Sequence, residues 1–594
     1  MASFAFALAG AYAFLGYLVF ALGLAGRCRP AGVLVASGIA FVALAMILVR
    51  EFRLPRPSAL RFTYLAAAAC FVLLFSHSFL IPPYTRDDMI YHLLIPKQMA
   101  LTGRLAFDPF NVTGNFPMLF EMPLAVLETL RLPLSPFLVN VAFAVLFLMV
   151  LQAGLTRFSG LSQVQALAIT AAFATMPVLI DLLHTCYVEI FFALLITLAT
   201  LAYMRVLDKD QGRDGRADGD DAKAGGRDWL RVCACLGLAA AVKYPGVLFA
   251  AFFFAWEFFR SKDRKNFYAG ALLCAALAAP WYLKNWLWTG NPVFPLANTL
   301  FGSPYITPLR FQGFHHMLVD YNMGHSPLDL LRLPFRLALG IDEARPGAGL
   351  GFDGKLSLLF AVALGGLGWK ERGQRFVTLL FAFYFLVWIV ESQQVRFLLA
   401  ILPVPLLFAF RRVARLPRPA LSLWIFAGAA LILAQNAVNV TQKLRSEKIL
   451  PLLTGATDKR SFLAAQMPLS YGLAEGINRK LDAHADRLMT VGCFGRNYYF
   501  DVPVLTNTFY DQEVFRNAFG RGELKPDSVT AFLKDNHITY ILFNWEFVRK
   551  MHAQDGKFDF AALEDYLKTA CPVAQGSGNV ILYACARTNA GQSR

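Results

Sequence analysis

The stretch "TRDDMIYHLLIPKQMALTGRL", Thr85–Leu105, sets two adjacent carboxylates, Asp87 and Asp88, directly after an apolar run that ends near residue 82. An acid pair at the mouth of a greasy segment makes sense only if the chain around it lives in lipid. The rest of the sequence agrees. The 594 residues have a mean hydropathy of +0.48, are 57% hydrophobic and are only 16% charged, whereas a soluble protein carries about a quarter charged residues. Apolar runs near twenty residues recur, each long enough for a hydrocarbon core of about 30 Å. The fold class that follows is an α-helical polytopic membrane protein.

The net charge of +16 belongs with that reading. The arginines and lysines sit in short loops between apolar runs, which is how positive charge is retained on the cytoplasmic side. No nucleic-acid motif accompanies them. "REFRLPRPSALR" (Arg50–Arg61), "RSKDRKN" (Arg260–Asn266), "KERGQR" (Lys370–Arg375) and "RRVARLPRP" (Arg411–Pro419) are expected inside. So is the Gly- and Asp-rich linker 206–228, expected to be flexible because it has too little apolar surface to bury. With these loops pinned, parity gives about thirteen spans, near 3–25, 31–49, 62–82, 135–155, 163–182, 186–205, 229–242, 245–259, 267–288, 355–369, 376–391, 396–410 and 419–438. The first, "MASFAFALAGAYAFLGYLVFALGLAG", is too long for a signal h-region and lacks a basic start. The N-terminus is then cytoplasmic, the C-terminus outside, and the location an inner or plasma membrane. Arg27 and Arg29 fall in a short outer loop against the rule.

The segment 229–259 fits two short helices broken at "VKYPG" better than one crossing, because proline disfavours a helical residue before it. Irregular backbone at membrane depth needs cover from protein or a wet cavity, so Lys243 and Tyr244 are expected to line one. Three parts face outward: a loop at about 83–134, a second at about 290–354, and everything after about 440. The division is a transmembrane domain, 1–440, and an extracytoplasmic α/β domain, 441–594. In the latter, "RLMTVGCF", "ITYILFNW" and "NVILYACA" alternate with helical patterns. A hairpin turn near Gly578 would set Cys571 opposite Cys585, either as a disulfide on the oxidising side or as two thiols. The nine cysteines show no zinc spacing.

Asp87 or Asp88 can cap the short helix that "MIYHLLIPKQ" predicts at the membrane interface, but only one can cap. The spare carboxylate near lipid points to use. Other ionisable groups converge on the same outer level: His184, Glu189, Lys243, Lys284 beside Asn285, and Glu391, Gln394 and Arg396. Lys284 and Arg396 have a simpler reading as snorkelling side chains, and Trp281, Trp286 and Trp288 as an aromatic belt. His315, His316 and Asp320 are read as a polar loop rather than a metal site, since adjacent histidines do not share a helix face.

"DDMIYHLLIPKQMALTGRL" followed by "NFPMLFEMPL", together with "GLAAAVKYPG", "PWYLKNWLWTGNPVFP" and "QQVRFLLAILP", resembles the GT-C glycosyltransferases, polytopic enzymes that use polyprenyl-phosphate-linked sugars. The likeness is to the bacterial branch of protein O-mannosyltransferases and aminoarabinose transferases, over roughly residues 60–410. It departs at Glu189, where the family often has Asp, and in an extra apolar hairpin before the third span. The resemblance implies transfer from a lipid-phosphate sugar to an acceptor hydroxyl on a lipid, glycan or protein, on the outer face and with inversion. Asp87 or Asp88 would be the general base. Lys243, Arg396 and Lys97 would hold the donor phosphate. His92, Glu189, Tyr244, Lys284, Asn285 and Gln394 would line the cavity. Mg2+ or Mn2+ would suit two carboxylates and a phosphate, but the basic side chains make a metal unnecessary. The alternative from another class, a lipid-linked saccharide flippase, predicts an internal repeat, and none is visible.

Overall fold

A computed structural model of the chain describes residues 1–51, 59–211, 219–261, 263–306, 308–342, 351–468, 471–493, 495–506, 526–552 and 560–585. Among the described residues seven helices are long and apolar enough to cross a membrane: Ala2–Leu24, Pro30–Val49, Leu138–Arg157, Glu189–Asp208, Arg264–Thr289, Arg372–Glu391 and Arg418–Ser446. A bent pair of helices makes an eighth candidate. Helix Gln163–Ala174 starts on a capping box made by Ser162 and Gln165 and stops at Thr175. Helix Pro177–Leu183 then restarts at 67° to it, because Pro177 forces Met176 out of the helical region.

Five of the thirteen expected spans match neither these long helices nor the bent pair. The run 355–369 contains only helix Leu359–Leu364, and 396–410 becomes a 3-10 turn, Val395–Ile401, followed by the 11-residue helix Pro403–Val413. Glycines in the first run and prolines in the second interrupt what composition alone reads as continuous. The break at "VKYPG" is where the pattern put it: one helix ends at Val242 and the next begins at Pro245. The linker is shorter than expected, since helices run through Gln211 and from Gly219; residues 212–218 lie outside the described ones. Helix Glu189–Gln211 is the centre of the bundle, almost wholly buried over its apolar window.

The segment after Asp87 does contain the expected short helix. It forms a π turn, Asp88–His92, then helix Leu94–Thr102, ended by Gly103 at φ 77°. Leu93, Leu94 and Met99 are buried. Its polar side meets the C-terminal domain: Lys97 Nζ donates to the Tyr498 carbonyl and to Asp501 (both 2.8 Å), and the Val504 amide donates to Gln98 (3.0 Å).

That domain carries a five-stranded sheet in the order β2-β1-β3-β5-β4. The strands are β1 (Leu488–Val491), β2 (Val504–Thr506), β3 (Tyr540–Asn544), β4 (Val573–Ser577) and β5 (Val580–Ala584). β1 pairs parallel with β2 and β3, while β5 pairs antiparallel with β3 and β4. Gly578, at φ 59°, turns the β4–β5 hairpin, as the "GSGN" signal predicts. Cys571 and Cys585 flank it and form a disulfide, with their Cα atoms 4.3 Å apart.

Candidate active site

The acid pair splits into two roles. Asp87 precedes the π turn but makes no side-chain cap. Its carboxylate faces a cavity of about 330 Å³ and accepts from Arg396 Nη2 at 3.1 Å. Asp88 is fully buried behind it. There it accepts from the Thr85 hydroxyl (2.7 Å) and from the Cys186 amide (2.9 Å), so it ties the first loop to the turn before helix Glu189–Gln211. Burial pushes Asp88 from 3.8 up to about 7, against the lowering effects of His92 and of those two hydrogen bonds.

Arg396 joins separate parts of the chain. Besides Asp87 it meets Glu189 (3.5 Å) and Asp353 (3.6 Å), and its guanidinium lies 4.6 Å from the centre of the Tyr187 ring. Glu189 accepts in turn from Lys243 at 2.7 Å, and Lys243 sits 3.9 Å over the Phe397 ring. Helix Glu189–Gln211 delivers Glu189 at its first residue. The helix break delivers Lys243, because a side chain there leaves the backbone without following either helix. Lys243, Glu189 and Arg396 also line a narrow slot walled by Phe192, Pro245, Tyr384, Phe397 and Ala400. Such a network gives a charged group two cations and a carboxylate within one small volume.

Most of the other sequence-derived candidates lie elsewhere, though His184 lines the cavity. Lys97, expected on the donor phosphate, is held by Asp501 and the Tyr498 carbonyl, because its helix faces the C-terminal domain. His92 Nδ1 meets Glu121 at 2.7 Å in a buried pair. Lys284 is buried, donates to the Asn115 carbonyl (3.0 Å) and lies against Trp281 and Trp288; it does not snorkel. Trp281 is buried rather than part of a belt. Asn285 donates to the Tyr244 hydroxyl, which donates to the Phe294 carbonyl, so these two hold the 290s loop. Gln394 does line the cavity. Tyr84, Arg86, Asp181, Asp353, Lys443, Glu447, Gln466 and Arg496 line it as well, and sequence reading missed them all. Lys443 pairs with Asp181 (2.7 Å), and Tyr84 donates to Glu447 (2.5 Å). Arg86 alone carried a signal, being adjacent to the acid pair.

A helical bundle with an acid–base cavity and a small mixed sheet is a fold shared with solved structures. Among solved structures the chain is similar to ArnT from Cupriavidus metallidurans in the apo state, at 14% identity and a TM-score of 0.53, covering 89% of this chain and 98% of that one. It is similar also to ArnT from the same organism bound to undecaprenyl phosphate, at 14% identity, the same coverage and a TM-score of 0.51. At that identity the likeness is one of fold. No family model matches the chain, and no curated protein does.

Proposed function

We propose that the protein is a membrane glycosyltransferase that moves a sugar from a polyprenyl-phosphate donor to an acceptor hydroxyl on the outer face of an inner membrane. The observation that carries the reading is the linked cluster Asp87–Arg396–Glu189–Lys243, in which Arg396 lines both the cavity that holds Asp87 and the slot that holds Glu189 and Lys243. The ArnT structure with undecaprenyl phosphate supports a lipid-phosphate donor on this fold. Asp87, which faces the cavity, takes the acceptor proton as the hydroxyl oxygen attacks C1 from the side opposite the phosphate. The C1–O bond to the lipid phosphate breaks as the new one forms, and the configuration inverts. Charge developing on the departing phosphate is met by Arg396, a planar fork suited to it, and by Lys243. Asp88 positions the loop. No metal is needed in this reading.

Purified protein in nanodiscs with a polyprenyl-phosphate sugar and a membrane extract as acceptor tests it. Asp87→Asn should lower transfer about 10²–10⁴-fold, and Asp88→Asn should cost far less. Full transfer by a folded Asp87→Asn protein sinks the assignment. Loss of one sugar from the surface glycans or lipids of a deletion strain would name both transfer partners. Donor moving across vesicles without acceptor would favour the flippase instead.

A further inference from the structure

Arg496 stands out among the cations of the cavity. Arg396 has three carboxylates within 3.6 Å, and Lys443 has two within 3.7 Å. Among the described residues Arg496 has no carboxylate at ion-pair distance. The hydrogen bond it donates, to the Gln466 carbonyl, is long at 3.5 Å, and its Nε is buried without an acceptor. A guanidinium is always charged and carries five donors in a fixed fork, so this one is short of acceptors. Arg86 lines the same cavity. Burial first, and then the Arg86 charge, lower Arg496 from its ordinary value; two like charges are being held together.

The backbone holds Arg496 there. The Asn497 amide donates to the Met89 carbonyl (3.2 Å), one residue from Asp88. Next along the chain, the Tyr498 hydroxyl donates to Glu128 and the Tyr499 hydroxyl to the Pro83 carbonyl, both at 2.7 Å. The loop between β1 and β2 is thus fastened to the segment that bears the acid pair. A cation brought from the C-terminal domain to the rim of the cavity and left short of acceptors is suited to an incoming anion.

We propose that Arg496, with Arg86 as its second cation, binds an oxyanion carried by the acceptor, distinct from the donor phosphate held at Arg396 and Lys243. The proposal rests on the glycosyltransferase reading for the word acceptor. It makes the C-terminal domain a determinant of specificity: acceptors with a phosphate or carboxylate near the reacting hydroxyl are selected over neutral ones.

The test uses the full chain in nanodiscs of neutral lipid saturated with undecaprenyl phosphate, titrated calorimetrically with inorganic phosphate. Wild type should bind phosphate with the carrier in place. Arg496→Gln should weaken that binding at least tenfold while leaving undecaprenyl phosphate binding unchanged, which also shows that the variant is folded. Arg496→Lys should retain most of it. If Arg496→Gln does not fold, Arg86→Gln carries the same expectation. Phosphate that binds equally well to Arg496→Gln overturns the proposal. So does phosphate that binds only without carrier and is lost in Arg396→Gln, since it then reads the donor site. Should wild type fail to bind undecaprenyl phosphate, the glycosyltransferase reading falls, while titration of carrier-free protein still decides whether Arg496 holds an anion; no binding there overturns the proposal as well.

Discussion

Arg396 is the residue on which the site turns, because it brings together Asp87, Glu189 and Asp353, acids that are far apart along the chain. Removing one partner of a buried charge pair typically costs about 3–5 kcal/mol, so Arg396→Gln should lower both stability and activity. Asp88 offers a cleaner test. Its folded-state value, raised from 3.8 to about 7 by burial, means the native protein binds this proton more tightly than the unfolded chain. The associated stability is present in full below about pH 4 and is lost as pH rises through about 7. Asp88→Asn copies the protonated form. Its thermal midpoint should match wild type at about pH 4 and exceed it by a few degrees near pH 8. An equal difference at both pH values would show that Asp88 does not titrate in this window. Asp87 and Asp88 were legible in the sequence as a conspicuous pair. Their division of labour was not, since neighbours one residue apart point in different directions on a tight turn and only the packed neighbours decide which one meets the cavity.

At the scale of elements, the break between the helices ending at Val242 and starting at Pro245 places Lys243. Its tightness depends on Gly246. A Cβ there would lie 2.3 Å from the Ala240 nitrogen and 2.4 Å from the Ala239 carbonyl carbon, contacts with backbone that cannot yield easily. Gly246→Val should therefore open the hairpin at a cost of about 1–3 kcal/mol, displace Lys243 from Glu189 and lower activity more than stability. Thermal unfolding together with donor turnover measures both, and a variant active at wild-type level would show that the hairpin tolerates opening. The break was readable because proline acts locally, on the residue before it. The shortness of helix Pro403–Val413 was not. An apolar run has the same composition whether it crosses lipid or packs inside protein, and the neighbours that bury it come from elsewhere in the chain.

For the whole molecule, the sheet domain is fastened to the first loop by Tyr498, Tyr499, Asn497 and Lys97. Lys97–Asp501 is half exposed and contributes little on its own. The tyrosines matter more, as each adds a hydrogen bond worth about 1 kcal/mol and packs its ring. In a Tyr498→Ala, Tyr499→Ala protein, amide hydrogen exchange across Thr85–Tyr91 should rise severalfold while the helix Glu189–Gln211 stays protected. Unchanged exchange in the loop would mean that the sheet domain does not order it.

Composition and periodicity alone determined that this is a helical membrane protein with a small α/β domain at its end, that its sheet ends in a hairpin at Gly578, that a helix breaks at Lys243, and that the acid pair after the third apolar run is unusual. These are local properties: hydropathy, turn chemistry and proline act within a few residues. Tertiary structure alone decided which charges meet. Arg396 finds Asp87 across more than three hundred residues, Lys97 turns away to the sheet domain, and Arg496 arrives from that same domain. An ion pair depends on distances of a few ångströms, and sequence separation carries no information about them.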